Sequence, residues 1–341
     1  MKIKKLVSNL LHMVALPVLV YALLQGVCLL AGAQGFGVGS DLVVALRNAI
    51  TTGCIALAVS YNLTSGRFDF SVGATLVLAV LLSGRLTLAL GLTGLFGAIF
   101  QMLTTMLFGA LLGALNGCVY VALRLPPMIS SLGVCMLYEA VGYVFTAGSG
   151  VSIIGRNDLT IWAFSPYIYL LAAVILLALF VILNYTRFGY NTRSLQSGQE
   201  IAVNTGVNEK KNAVGCYFIA GALLGAAGLL NLCVYGKADP EISLSSISYI
   251  QNAFLPMFIG GALAKYGDRN LGVMMGAIVQ SLIIAAFGRL GLSSSMQSIL
   301  SGVIVIFFFA YNGNAYKLEE AKLFRRKREA ALSGQAGANP Q

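Results

Sequence analysis

Long apolar runs separated by short polar stretches make up most of the chain. Ten of these runs are long enough to cross a bilayer as helices, since about 20 apolar residues span the hydrocarbon core. The pattern therefore predicts an all-α, polytopic membrane protein with about ten transmembrane helices. The predicted spans are residues 7–31, 42–61, 70–90, 95–122, 129–146, 162–184, 213–235, 247–264, 271–287 and 296–312.

The composition agrees with this class. The 341 residues are 58% hydrophobic and only 10% charged, whereas soluble domains carry roughly 25% charged residues. The six cysteines lie singly inside the apolar runs, and none has the spacing of a metal-ligand set. They are expected to be small buried residues, so no metal site is predicted.

The lysines and arginines are concentrated in alternate loops, and this asymmetry predicts that the N- and C-termini are both cytoplasmic. The net charge of +10 follows from these loops, so no nucleic-acid partner is expected. Residues 1–316 are predicted to form the transmembrane domain, with a cytoplasmic loop at about 185–212. Residues 317–341 are predicted to form a basic cytoplasmic tail, partly disordered, whose charge attracts anionic membrane lipid.

The second and third spans are separated by Gly66-Arg67-Phe68-Asp69-Phe70-Ser71-Val72-Gly73, a glycine-bracketed break that holds an acid and a base. Placing Asp or Arg at membrane depth costs roughly 2.5–3.5 kcal/mol on insertion scales. Irregular backbone at that depth is tolerated only where it is buried in protein or lines a cavity. The stretch is therefore either an ordinary polar turn outside the lipid or part of a transport pathway.

Other polar or glycine-rich positions are weaker pathway candidates. Glu139 falls near the middle of the fifth span beside Tyr138. Its role is either functional, as part of the pathway, or structural, as a hydrogen-bonded group within the bundle. Asn252 lies in the eighth span. A second predicted break begins at Gly260 and Gly261, before the ninth span.

Glycines at four-residue spacing lie on one face of a helix and let backbones approach closely. In the fourth span they are Gly109, Gly113 and Gly117. Such a face is either a static packing contact or a contact that moves.

The longest polar connection, residues 185–212, follows the sixth span. Residues 199–204 are predicted to form a short helix that ends at Thr205-Gly206. The connection is either a docking surface or a plain connector.

The sequence contains no recognisable catalytic or nucleotide-binding motif. It has no Gly-x-x-x-x-Gly-Lys-Ser/Thr stretch to hold ATP phosphates, and no nucleophile–base pair or metal cluster is found. We therefore predict a conduit and not an enzyme, with its energy supplied from elsewhere. One form of this hypothesis is an ion-coupled secondary transporter with Glu139 and Asp69 as proton sites.

The break resembles a motif of the permease subunits of ribose/galactose-type ABC sugar importers, Gly-Gly-x-Asp-Leu-Ser-Val-Gly. Gly66, Asp69, Ser71, Val72 and Gly73 match that motif. Arg67 replaces the second glycine, and Phe70 replaces the leucine. Arg67 could pair with Asp69 or favour a substrate of negative character.

Two further motifs of this family occur in the same order. Thr186-Arg187-Phe188-Gly189 is similar to its Thr-Arg-x-Gly, and Thr205-Gly206-Val207 to its Ser/Thr-Gly-Ile/Val. Gly260-Gly261 matches only the start of its third glycine motif, since Leu263 replaces the serine.

The resemblance implies a permease subunit of the bacterial plasma (inner) membrane. It would import a monosaccharide of the ribose, galactose or xylose class, or a similar small polar solute, with ATP hydrolysed by a partner. Nucleosides, an autoinducer-type sugar and branched-chain amino acids are alternative substrates. ATP and Mg would be bound by the ABC ATPase subunits and no cofactor by this chain.

The other implied partners are a second permease subunit, like or unlike, and an extracytoplasmic solute-binding protein. The cytoplasmic loop would couple the permease to the ATPase. The coupling positions are Arg187, Gly189, Gly198, Gln199, Glu200, Thr205, Gly206 and Val207.

Overall fold

The computed structural model describes residues 2–33, 35, 40–293, 295–307 and 310. The predicted tail, residues 317–341, lies outside the described residues. The helices of the unit that ends at Gly291 are α1 (Lys2–Leu30), α2 (Ser40–Leu63), α3 (Val72–Ala89), α4 (Gly94–Leu123), α5 (Pro127–Thr146), α6 (Tyr167–Tyr185), α7 (Arg187–Ser197), α8 (Gln199–Asn204), α9 (Glu209–Tyr235), α10 (Ser248–Leu263) and α11 (Arg269–Arg289). Two short 3-10 turns, Ile161–Ala163 and Ser245–Ile247, precede α6 and α10.

Eight of these helices are long and apolar enough to cross a membrane, counted over the described part of the chain. They are α1 to α6, α9 and α11, and they coincide with eight of the ten predicted spans. The remaining two predicted spans correspond to shorter helices. The first is α10, and the second is the helix Ser295–Phe307, which belongs to a separate unit beginning at Leu292.

The outer faces of α4 and α6 carry large apolar side chains that remain exposed in the described part of the protein. Exposed examples are Leu103, Leu107, Leu111 and Leu115 on α4, and Leu170, Val174 and Leu177 on α6. A surface of this composition suits contact with lipid hydrocarbon, which is as apolar as leucine.

The centre of the bundle is the contact between α4 and α9, where the glycines of both helices face one another. A Cβ on Gly109 would collide with the carbonyl of Gly221, and one on Gly113 with the carbonyl of Tyr217. A Cβ on Gly225 would likewise meet the carbonyl of Thr105. The four-residue glycine spacing therefore marks a close helix–helix contact, as predicted from the sequence.

Residues 239–247 connect α9 to α10 and run along α3, with Ser246 buried and Asp239, Ile242, Ser243 and Ser245 exposed. At one end, β2 (Lys237–Ala238) pairs antiparallel with β1 (Val151–Ser152), whose Val151 packs against Gly84 of α3. At the other end, the carbonyl of Ser246 packs against Gly73. The segment thus follows α3 for about 16 Å, given a rise of about 1.5 Å per residue.

The predicted break at Gly260-Gly261 is wrong, because both glycines lie inside α10, which continues to Leu263. Gly260 packs so closely on Val273 of α11 that a Cβ would collide with it. Gly261 faces open space. The first glycine therefore serves the contact between α10 and α11, and the chain turns only after Leu263.

Candidate functional site

Gly66 ends α2 with a left-handed residue. Its φ is +74°, its N–H donates to Leu63 O at 2.9 Å, and the N–H of Arg67 donates to Asn62 O at 2.9 Å. This pair of bonds is the Schellman arrangement, in which glycine avoids the steric penalty of a Cβ. The break after α2 is thus a defined helix end that redirects the chain.

Asp69 fixes the start of α3. Its Oδ1 accepts hydrogen bonds from the backbone N–H of Ser71 at 2.8 Å and from the hydroxyl of Ser71 at 2.7 Å. The side-chain amide of Asn116 in α4 donates to the same oxygen at 3.1 Å and to Ser71 Oγ at 2.8 Å. All three residues are buried. The acid therefore closes a local turn and fastens it to α4.

Arg67 is also buried, with 3% of its surface exposed. The structure does not pair it with Asp69, because no ion pair joins them among the described residues. Its Nε and Nη2 atoms have no hydrogen-bond partner in the part of the chain that is described. The alternative in which Arg67 pairs with Asp69 is therefore wrong.

Glu139 holds the turn that leads into α10. Its Oε2 accepts from the backbone N–H of Leu244 at 2.8 Å, and its Oε1 from the backbone N–H and hydroxyl of Ser246 at 3.2 and 2.6 Å. Ser243 and Leu244 both have positive φ, at 59° and 64°, a conformation that costs side-chain-bearing residues free energy. The buried carboxylate of Glu139 thus stabilises a strained turn that leads into α10.

Tyr138 makes a different contact. Its hydroxyl donates to the carbonyl of Leu112 in α4 at 2.7 Å, which joins α5 to α4. The backbone N–H of Phe70 donates to Ser131 Oγ of α5 at 3.0 Å, so the break is also attached to α5.

Several sequence-predicted residues are thereby brought together with partners that the sequence did not single out. Gly73 and Glu139 meet at Ser246, and Asp69 and Ser71 meet at Asn116. We call Asp69, Ser71, Gly73, Asn116, Glu139 and Ser246 the helix-break cluster. Asn252, Gly260 and Gly261 lie outside it.

Asn252 instead lines a polar cavity of about 450 Å³ between α2, α3, α9 and α10. Other lining side chains are Asn48, Thr51, Asn231 and Tyr249, together with the charged residues Lys237, Asp239 and Glu241. Lys237 Nζ and Asp239 Oδ1 form an ion pair of 2.7 Å. This mixture of hydrogen-bond donors and acceptors suits a solute that carries several hydroxyl groups.

The predicted helix at 199–204 is confirmed as α8. Before it, Thr186 caps α7, since its Oγ1 accepts from the N–H of Gly189 at 3.3 Å. A Cβ on Gly189 would collide with the carbonyl of Leu183. The Thr-Arg-Phe-Gly motif therefore shapes the turn from α6 into α7.

The coupling positions predicted within α7 and α8 are mostly at the surface. Gln199 and Glu200 are exposed, and the amide of Gln199 donates to Glu209 Oε1 at 2.7 Å. Ile201, an apolar residue, is 73% exposed. After α8, the N–H of Val207 donates to Ala202 O at 3.0 Å, with Gly206 at φ +94°.

A buried hydrogen bond fastens this surface to the bundle. The side-chain amide of Asn212 in α9 donates to Thr192 Oγ1 of α7 at 2.9 Å. The bond therefore attaches α7 to the first turn of α9.

No group of three or more potential metal ligands occurs among the residues that are placed. Sequence reasoning missed Asn116 and Ser246. Asn116 gave a usable signal, since it lies three residues after Gly113 and therefore near the same helix face as the packing glycines. Ser246 gave none, because the expected loop showed no periodic pattern.

The family described as "Branched-chain amino acid transport system / permease component" matches residues 42–309. The chain is similar to the galactose/methyl galactoside import permease protein MglC of Haemophilus influenzae, with 27% identity over 281 residues, which cover 77% of this chain and 83% of the relative. It is similar to the ribose import permease protein RbsC of Escherichia coli, with 26% identity over 277 residues and coverage of 78% and 84%. The fructose import permease protein FrcC of Rhizobium meliloti is 22% identical over 307 residues, with coverage of 86% and 82%. No solved structure matches the chain significantly.

Proposed function

This chain belongs to the family of branched-chain amino acid transport system permease components, and we propose that it is the permease subunit of an ABC importer for a monosaccharide. The import permeases it resembles are named for galactose, ribose and fructose. The expected solute is therefore a pentose or hexose.

The observation that carries the proposal is a polar face on α10 beside the polar cavity. Gln251 and Asn252 are both exposed on α10, and Asn252 also lines the cavity. Their helix begins next to Ser246, which contacts the middle of α5 through Glu139. Amide groups facing hydrocarbon at that depth would lose their hydrogen bonds at a cost of several kcal/mol each. This face is therefore expected to border a water-filled passage shared with a second permease subunit.

The end of the bundle that carries α7 and α8 is proposed to be cytoplasmic, in agreement with the distribution of lysine and arginine. The exposed Ile201 and Val203 of α8 would dock on an ABC ATPase. ATP and Mg would be held by that partner, and both termini of this chain would be inside the cell.

An extracytoplasmic binding protein would deliver the sugar to the opposite end, where β1 and β2 lie. Nucleotide binding would favour one packing of the bundle and hydrolysis another, because a ligand shifts an equilibrium only by its different affinity for the two states. The protein would sit in the bacterial plasma membrane with its outer apolar faces in lipid.

Reconstitution tests this function. The permease, its co-purifying ATPase and its binding protein are placed in liposomes, and uptake of labelled ribose, galactose, fructose and xylose is measured with and without ATP inside. We expect ATP-dependent uptake of a monosaccharide, and we expect Asn252→Leu to lower it while assembly is unchanged.

The same liposomes distinguish the alternatives. Uptake driven by a proton or sodium gradient in the absence of the ATPase would contradict the proposal and favour a secondary transporter. ATP-dependent uptake of nucleosides or branched-chain amino acids, with no sugar transported, would replace the proposed substrate.

A further inference from the structure

A second cavity, of about 460 Å³, lies at the end of the bundle that carries α7, away from the helix-break cluster and the polar cavity. Its walls come from the end of α2, the end of α6, one side of α7 and the turn between α10 and α11. Four elements thus converge on one space that the proposed transport function does not use.

Two arginines border this cavity. Arg193 comes from α7 and Arg269 from the first turn of α11. The Nη2 atom of Arg193 donates to Asn184 Oδ1 at 2.6 Å, which fixes its guanidinium against α6. The Nε atom of Arg269 is buried and has no hydrogen-bond partner among the described residues.

The carboxylate that faces the cavity is already engaged. Asp268 precedes α11, and its Oδ1 accepts from the backbone N–H of Asn270 at 2.7 Å, which caps that helix. The structure places neither Arg193 nor Arg269 in an ion pair within the part it describes. The lining therefore has one more positive than negative side chain, together with neutral hydrogen-bonding groups at Thr64 and Gln196.

The position of the cavity indicates where a ligand comes from. Phe180 and Leu183 of α6 form an apolar part of its wall, and Phe180 is exposed on the outer face of α6 together with Leu177 and Val181. The cavity therefore lies at the boundary between the helix ends and the apolar surface. A ligand with a charged head and an apolar tail can satisfy both surfaces.

We propose that this cavity binds a phosphate group, and that its source is the headgroup of an anionic phospholipid whose acyl chain lies along α6. Guanidinium groups suit this ligand because their planar N–H donors match phosphate oxygens in two-point hydrogen bonds. The bound lipid would join α7 to α11, two elements that come from distant parts of the chain.

The experiment uses the full-length protein purified in a mild detergent and then depleted of lipid. Thermal unfolding is followed while phosphatidylglycerol, phosphatidylcholine or inorganic phosphate is added, and native mass spectrometry identifies the phospholipids that remain bound. The variants are Arg193→Gln with Arg269→Gln, the charge-preserving Arg269→Lys, and Arg124→Gln. Arg124 is an exposed residue at the end of α4 near the same end of the bundle and outside this cavity, so its variant controls for loss of surface charge.

We expect phosphatidylglycerol to raise the Tm of the wild type and of Arg124→Gln more than phosphatidylcholine does. The double glutamine variant should bind phosphatidylglycerol at least about tenfold more weakly, and Arg269→Lys should fall between. Equal stabilisation by inorganic phosphate would support the phosphate site and assign it a soluble ligand instead of a lipid. Equal effects of anionic and zwitterionic lipid without any effect of phosphate, or an equal loss in Arg124→Gln, would overturn the proposal. If the double variant fails to fold, native mass spectrometry of the wild type and Arg269→Lys provides the test: retained anionic phospholipid supports the proposal, and retained zwitterionic lipid alone overturns it.

Discussion

The backbone carbonyl of Ser246 lies against Gly73, so closely that a Cβ on Gly73 would collide with it. Gly73 is in the first turn of α3, and Ser246 is in the 3-10 turn before α10. At this contact the segment 239–247 reaches the first turn of α3, whereas Val151 of β1, the partner strand of β2, packs on Gly84 eleven residues further along that helix. The contact explains why the last position of the Gly66–Gly73 motif is a glycine, because any larger side chain would collide with this carbonyl.

Gly73→Ala is expected to destabilise the protein by about 1–3 kcal/mol, because the added methyl group forces the two backbones apart. Gly261→Ala is a matched control, since Gly261 is also helical and its Cβ would meet open space. Thermal unfolding of both purified variants provides the measurement. An equal Tm for Gly73→Ala and wild type would show that the contact yields without cost.

Glu139→Leu is expected to lower stability by about 2–3 kcal/mol, because the N–H groups of Leu244 and Ser246 would be buried without an acceptor. Glu139→Gln keeps one amide oxygen and should lose less. Tm and sugar uptake are measured in parallel. If Glu139 were instead a proton site, Glu139→Gln would abolish transport with little change in Tm, and this result would contradict the structural role.

Asp69→Asn is expected to lower uptake several-fold while the subunit still assembles. The asparagine oxygen can still accept from the N–H of Ser71, so the turn survives, but the charge that orders Ser71 and Asn116 is lost. Asp41→Asn is the control, because it removes the same charge from a partly exposed pair with Arg289. Unchanged uptake by Asp69→Asn would exclude this residue from the transport mechanism.

The sequence predicted the apolar helices well, because each needs only a run of apolar residues. The four-residue spacing of the glycines in α4 also predicted a close packing face, which the structure places against α9. The segment 239–247 could not be predicted in this way. The backbone N–H groups of Leu244 and Ser246 donate to Glu139, which is more than a hundred residues away in sequence. A local sequence pattern does not reveal a hydrogen bond of this kind. A polar stretch between two apolar runs therefore gave no indication that its end packs against α3.

The helix-break cluster was predicted in part for the same reason. Asp69, Ser71 and Gly73 could be singled out because their residue types are unusual between apolar runs. The partners Asn116 and Ser246 depend on which helices meet, which is a property of the assembled bundle. Of the two alternatives for Arg67, pairing with Asp69 is not observed; Oδ1 of Asp69 instead accepts from Ser71 and Asn116.

Asp158 gives a pH-dependent prediction outside the membrane-spanning helices. The N–H of Gly94, at the start of α4, donates to its carboxylate at 2.7 Å, and this bond lowers the pKa of Asp158, assisted by Arg156. A lowered folded-state pKa means that the stabilisation is present above the unfolded value of about 3.9 and is lost as the pH falls through the folded pKa. Asp158→Asn should therefore lower Tm by roughly 1–2 °C at neutral pH, since the group is partly exposed. The difference from wild type should vanish in acid; a difference that stays constant to about pH 3 would contradict this assignment.

Ile201, the more exposed of the two exposed apolar residues of α8, provides the sharpest test of the proposed coupling. Ile201→Asp should leave folding intact, because the side chain is 73% exposed and packs on little of the bundle. If α8 docks on an ATPase through an apolar contact, burying a carboxylate there costs several kcal/mol, and ATP-dependent uptake should fall by at least about tenfold. Ile154→Asp is the matched control for folding and for ATPase binding, but not for uptake, since Ile154 is 71% exposed in the loop after β1, at the end where the binding protein is proposed to dock. Co-purification of the ATPase with each variant separates lost docking from lost folding. Normal ATPase binding and uptake by Ile201→Asp would remove α8 from the interface and return the segment 185–212 to the status of a plain connector.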